Sequence, residues 1–145
     1  MKLCLMLVSV FTLGVLVGAQ RDSSGVVHVD PDKVAAALAK GGTLVSQKDL
    51  IVSGSHRDKG GQVEVHDKET DVLYILDGDA TFVYGGKMEG GKSSRPEQWL
   101  GTGITGGQTH HLVKGDVFVV PAGVPHWFKE VPKSINYFVV KVLKP

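Results

Sequence analysis

The stretch GDVFVVPAGVPHWF, residues 115–128, decides how this chain is read. A run of β-branched and aromatic residues is broken by Pro121-Ala122-Gly123-Val124-Pro125 and resumes with His126 beside Trp127. Valine and phenylalanine at that density favour extended backbone, and two prolines around a glycine interrupt it. The segment therefore predicts strand, tight turn, strand, with His126 emerging just past the turn. What the histidine is for depends on what the rest of the sequence places opposite it.

Outward from that stretch the chain reads as short strands: TLVS, DLIVSG, QVEVH, DVLYILDG, ATFVYGG, HHLV, DVFVVP, HWFKEV and INYFVVKVL, separated by Gly, Asp, Pro and Ser. Such spacing is the signature of an all-β antiparallel sandwich or barrel. One helix precedes them, in DPDKVAAALAKGG: Asp30 suits the N-cap, Pro31 the first helical position, and Gly41 the end. The Gly-rich, polar segment at 86–109 reads as a long loop. No internal repeat and no dividing linker is evident.

At 145 residues and 42% hydrophobic content the chain has the size of one globular domain with a real core. It opens with Lys2, an apolar run from Leu3 to Val17, and small residues at Gly18 and Ala19. This is the layout of a secretory signal peptide over residues 1–19, cleaved after Ala19, leaving a single domain at 20–145 that is secreted or periplasmic. A retained membrane anchor is the alternative, and the run is short for a bilayer span. Cys4 is the one cysteine and lies in the leader, so the mature domain has no thiol and must rest on its core, with or without a metal. The 16 basic and 15 acidic side chains are balanced, which disfavours nucleic acid and anionic lipid as partners and leaves small molecules.

In QVEVHDKETDVLYILDG, Glu64 and His66 stand two apart, so on a strand they face one side while Val63 and Val65 face the other. After a polar turn at 67–70, a hairpin would bring Asp71 back beside His66. A solvated strand face followed by an ordinary acidic turn is the better reading of this segment taken alone, where the spacing gives only a weak metal signal.

The second segment changes that balance. Gly115, Pro121, Gly123 and His126 are separated by five, one and two residues. With the first segment, this resembles the cupin superfamily, whose motifs have the forms G-x5-H-x-H-x3,4-E-x6-G and G-x5-P-x-G-x2-H-x3-N. The second motif matches except that Glu130 stands in the Asn position; in the first, His66 matches the second histidine, Asp71 falls in the Glu position, and Gly78 closes the motif. Glu64 takes the place of the first histidine and the opening glycine is displaced. The resemblance spans roughly Leu50 to Val142 and is nearest to the small, exported, single-domain bacterial cupins.

The resemblance implies an antiparallel β-barrel or jelly roll with His126 pointing into it, opposite the first motif. It also implies a divalent metal ion (Fe, Mn, Zn, Ni or Cu) held by His66, Asp71 and His126, with Glu64 as a fourth ligand or as a general base in a catalytic role. Two imidazoles and a carboxylate leave coordination positions open for water, oxygen or substrate. Dioxygenase, isomerase and lyase chemistry all occur on this fold, which does not choose among them. A non-catalytic cupin that holds a sugar or another small molecule is the competing class.

Other residues carry plainer readings. His110 and His111 read as a surface pair, and Trp127 as outer-face packing. Tyr74, Phe82, Phe118, Phe128 and Phe138 read as core, with Phe128 able to shape the pocket. His56 and Arg57 read as loop residues, Arg57 being a candidate clamp for an anionic group. Strand VVHV at 26–29 is suited to edge pairing with a second copy, which predicts a homodimer.

Overall fold

The computed structural model describes residues 20–144. The expected signal peptide and Cys4 lie outside the described residues. Two short strands, β1 (Gln20–Arg21) and β2 (Val27–His28), pair with each other and are followed by helix α1 (Pro31–Lys40). The main body then runs β3 (Gly42–Ser46), β4 (Leu50–Arg57), β5 (Val63–His66), β6 (Glu69–Tyr84), β7 (Lys87–Glu89), β8 (Lys92–Arg95) and β9 (Gln98–Gly101). It closes with β10 (Gly103–Thr105), β11 (Gln108–Val113), β12 (Val117–Val120), β13 (His126–Glu130) and β14 (Ile135–Leu143).

The helix forms where expected. Pro31 occupies the first turn, where its missing N–H costs nothing, and Gly41 ends it at φ 76°. Asp30 holds the N-cap position without a side-chain cap; its carbonyl accepts from the Lys33 and Val34 amides instead. Ala37 is the buried residue of α1, and it presses on Gly54 of β4, where a Cβ would stand 3.0 Å from Ala37. Helix and sheet thus approach closely because two small residues meet.

The sheet is antiparallel and curls on itself in the order β3-β4-β14-β6-β13-β5-β9-β8, with β11 and β12 also on β6. This is the antiparallel jelly roll expected from the sequence, and β6 is its spine. Two separate strands are expected at 71–78 and 80–86; a single strand of 16 residues replaces them and serves both flanks. Its first half lies between β14 and β12, and its second half between β13 and β11. The corner is at Gly78, with φ 80°, where any Cβ would collide with the Ser134 carbonyl. A register shift opposite Asn136 and Tyr137 leaves one extra residue in β6, so Asp71, Leu73 and Ile75 face inward before the corner, and Ala80 and Phe82 after it.

The core fills the space between the flanks. Phe82 is fully buried and meets Phe128 and Phe118 edge-on at 4.9 and 5.4 Å between ring centres, and Phe128 stacks on Tyr137 at 5.0 Å. Burial of each such side chain contributes on the order of 1.5–3 kcal/mol.

Several expectations need correction. Segment 86–109 is not a loop: β7 pairs with β10, and β9 joins β5 to β8. Backbone pairing, not side-chain pattern, holds these Gly- and Ser-rich strands. Strands β5 and β6 do not form a hairpin with each other; β5 pairs with β9 and β13, and the chain crosses from one flank to the other. His56 and Arg57 end strand β4 instead of lying in a loop. Tyr74 is 46% exposed on the outer face, and Phe138, its ladder partner, is half-buried on that same face; the inward ring of β14 is Tyr137. The strand at 26–29 shrinks to β2, one edge of which β1 already occupies.

Candidate metal centre

Two cross-strand pairs face each other between the flanks. On one flank His126 of β13 lies directly opposite Glu64 of β5, and on the other Lys141 of β14 lies directly opposite Asp71 of β6. The turn that aims His126 is tied to the first motif: Gly123, at φ 82°, donates its N–H to the carbonyl of His66 at 2.8 Å. A side chain other than glycine is strained at that backbone angle. The turn sequence therefore fixes the histidine relative to β5 as well as to β13.

The four residues singled out in the sequence come together. His66 Nε2 lies 3.5 Å from Glu64 Oε2 and 3.5 Å from Asp71 Oδ2, and His126 Nε2 lies 3.7 Å from the same Asp71 oxygen. The two rings are 5.3 Å apart between centres. His66, Asp71 and His126 are buried, and Glu64 is half-buried.

Sequence reasoning missed two members. Lys141 places Nζ 2.8 and 3.0 Å from the Asp71 oxygens, 3.1 Å from His66 Nε2 and 2.9 Å from Glu69 Oε2. Glu69 Oε2 also lies 3.5 Å from His66 Nδ1, and Arg95 pairs with Glu69 Oε1 at 3.2 Å. The signal for Lys141 is in the strand INYFVVKVL: it has the parity of Ile135, Tyr137 and Val139, which is the inward set.

Electrostatics follow from this packing. Burial pushes the Asp71 carboxyl up, but His66 beside it and the Lys141 ammonium outweigh it and hold Asp71 below its usual range. Glu69 behaves alike: burial raises it, and Lys141 and Arg95 bring it below. Burial lowers His126, against a hydrogen bond to the Val124 carbonyl at 3.1 Å, so the ring is neutral at neutral pH. With that carbonyl accepting from Nδ1, the Nε2 lone pair of His126 faces the centre. An ammonium can only donate, so His66 Nε2 also presents a lone pair.

The donor set fits a divalent ion. Ligand atoms of Glu64, His66 and His126, and again of His66, Glu69 and Asp71, lie within 4.8 Å of one another. Ligands about 2.1 Å from one tetrahedral ion stand about 3.4 Å apart, close to the separations seen. His66 Nδ1 is buried without a hydrogen bond, a polar atom the protein's own contacts leave unsatisfied. His110 and His111 stay outside: they are 46% and 63% exposed and pair with Asp116 and Asp79.

A cavity of about 160 Å³ adjoins the cluster, and Glu64, Asp71, His126 and Lys141 reach it. Its far wall carries Arg57, which donates to the Tyr137 hydroxyl at 2.9 Å, lies 3.4 Å from Glu64 and sits 4.8 Å over the Phe128 ring. Burial works against the Arg57 charge, but Tyr137 and Glu64 more than offset it and hold the guanidinium above its ordinary range. Phe128 shapes this wall, as its place in the sequence suggests. Trp127 points away and donates to the Gly61 carbonyl at 2.7 Å.

A family model described as Cupin matches residues 43–144. Among solved structures, the cupin domain of Cnp3 from Schizosaccharomyces pombe aligns at 13% identity and a TM-score of 0.52, covering 71% of this chain and 63% of that one. A protein of Bacillus halodurans aligns at 12% identity and a TM-score of 0.51, covering 71% and 69%. Peruvianin-I, a cysteine peptidase from Thevetia peruviana latex, aligns at 12% identity and a TM-score of 0.46 over 66% of this chain. The chain spans about half, 51%, of that last protein. At these identities the likeness is one of fold. Comparison of the sequence with curated proteins returns no match.

Proposed function

The chain belongs to the cupin family, and on that premise we propose that it is an exported cupin that binds a divalent metal ion and acts on a small molecule in the cavity between its flanks. The observation that carries this reading is the pair of ligand triplets beside the cavity, Glu64, His66 and His126, and His66, Glu69 and Asp71, which share His66 and are bridged by Asp71 Oδ2 at 3.5 Å from His66 Nε2 and 3.7 Å from His126 Nε2. His66, Asp71 and His126 would hold the ion. When bound, it supplies Lewis acidity and open coordination positions, the common currency of dioxygenase, isomerase and lyase reactions.

The chain's own residues supply the rest. Arg57 and the Tyr137 hydroxyl orient a polar or anionic substrate against the Phe128 wall. Glu64, half-exposed to the cavity and held only by long contacts at 3.4 Å to Arg57 and 3.5 Å to His66, takes a proton at its carboxylate as the catalytic base. Export is supported by the apolar leader at residues 1–19. A homodimer is supported by the apolar outer face, where Val117 and Val119 of β12, Tyr74 and Val142 are exposed.

Protein purified without tag or added metal, then exchanged against Mn, Fe, Co, Ni, Cu and Zn in turn, tests the reading by elemental analysis. One equivalent of one of these, absent from His126→Ala, is the expected result. No stoichiometric metal in any exchange would retire it. Lys141 favours a second reading in that event: a non-catalytic cupin that holds a sugar or another small molecule in the same cavity, its carboxylates neutralised from within.

A further inference from the structure

The Lys141 ammonium stands among two carboxylates and an imidazole lone pair, the kind of surroundings that a cation site provides. Its contacts of 2.8 to 3.1 Å reach Asp71 Oδ1 and Oδ2, Glu69 Oε2 and His66 Nε2. Three N–H donors meet three hydrogen-bond acceptors, Asp71 Oδ1 and Oδ2 and His66 Nε2, with Glu69 Oε2 beside them as an ion-pair contact, so none is left over. Cross-strand placement opposite Asp71 makes this a feature of the ladder and not of a wandering surface side chain.

Both ligand triplets include His66. An imidazole nitrogen has one lone pair, and on Nε2 Lys141 is using it. A metal that takes Nε2 therefore removes the ammonium. Charge points the same way. Three carboxylates (Glu64, Glu69 and Asp71) are already matched by three cations (Arg57, Arg95 and Lys141) through their ion pairs. An added dication would enter a neutral cluster unless one of those cations withdraws. Lys141 also lines the cavity and is 20% exposed, so its four-carbon stem has space into which the head can swing.

We propose that Lys141 is the resident counter-ion of this centre: it fills the site when no metal is present, and a divalent ion enters only by displacing it. The inference rests on the metal-binding reading above. It makes the lysine the residue that sets metal affinity, and it explains how a cluster of carboxylates stays assembled before metal arrives.

The experiment titrates metal-free wild type, Lys141→Met and Lys141→Arg with Co²⁺, followed by calorimetry and by the visible absorption of the bound ion. Lys141→Met should bind one equivalent at least tenfold more tightly than wild type, while Lys141→Arg, which keeps the charge, should bind no more tightly. Metal-free Lys141→Met should melt below wild type and recover on adding Co²⁺. In wild type, amine-directed labelling read by mass spectrometry should find Lys141 protected before Co²⁺ and reactive after it, a measurement that stands even if the variants fail to fold. Equal Co²⁺ affinity in wild type and Lys141→Met, equal tightening by Met and Arg, or a Lys141 that stays protected with Co²⁺ bound would overturn the inference and leave the metal reading intact. Binding by Lys141→Met but not by wild type would support the inference and retire the metal reading for the natural chain. Binding by neither would overturn both.

Discussion

Asp71–Lys141 and Glu64–Arg57 border the same cavity with the same formal charges and opposite characters. The first pair is opposed in one ladder, joined at 2.8 Å, and 7% and 20% exposed. The second joins strands of different flanks at 3.4 Å, and both side chains are 27% exposed. Asp71 has both oxygens hydrogen-bonded to Lys141 at 2.8 and 3.0 Å; Glu64 has only the longer contacts of 3.4 and 3.5 Å, and its cation is bound elsewhere by Tyr137 and Phe128. A buried, fully engaged carboxylate is fixed and costly to disturb, whereas a solvated one contributes little to stability and stays available for proton transfer. The contrast divides one cavity into a structural side and a reactive side.

Breaking the buried pair should have the largest effect. Asp71→Ala leaves the Lys141 ammonium with only Glu69 and His66 and should cost about 2–3 kcal/mol in urea unfolding, since removing one partner of a buried pair is the expensive case and the Glu69 contact offsets part of it. Acid should come next. His126 holds its proton less tightly in the folded chain than its ordinary 6.5, and Glu69 and Asp71 lie below 4.5 and 3.8. Between the folded and unfolded values the unfolded chain carries more protons, so stability is full above about pH 6.5 and falls as pH falls, first through His126 and then through the carboxylates. Urea midpoints measured on either side of pH 6.5 should drop on the acid side, and His126→Gln should flatten the upper part of that drop. A midpoint that rises on acidification would contradict the neutral, buried imidazole.

Smaller effects sharpen the comparison. Replacing the buried pair together, Asp71→Leu with Lys141→Met, should bring stability back to within about 2 kcal/mol of wild type, because a well-packed apolar pair often matches a buried ion pair. Glu64→Gln should change stability by less than about 1 kcal/mol while spoiling any reaction that needs its carboxylate. If Glu64→Gln destabilised as much as Asp71→Ala, the two sides of the cavity would be alike after all.

The parts of the fold legible in the sequence are those where one residue type is forced. Gly123 and the prolines around it announce the turn before His126, and Pro31 with Gly41 brackets the helix. The strands of 87–105 were hidden because Gly, Ser and Lys carry no alternation, and backbone pairing leaves no mark on such sequences. Asp71 stands beside His66 as the sequence predicts, but it arrives by crossing between flanks and not by a hairpin. Tyr74 and Phe138 were read as core on hydrophobicity alone, although their parity opposes Leu73 and Tyr137. The same parity test would have placed Lys141 inside. Glu69 was absorbed into an expected turn, one that in fact ends at Lys68.

Strand β14 has a consequence for how the molecule comes into being. It inserts between β4 and β6, and it joins residues 80 apart along the chain, as in Arg57 with Tyr137. Contacts so distant form slowly, because a long loop must close before any contact rewards it. Until β14 is made and docked, the facing edges of β4 and β6 are both bare, Asp71 has no Lys141 and the cavity has no wall at Tyr137. A chain in which β14 has not yet docked therefore exposes two adhesive strand edges. Docking of that one strand seals those edges and completes the centre in the same event, so a chain that has failed to finish folding has no assembled site with which to capture metal.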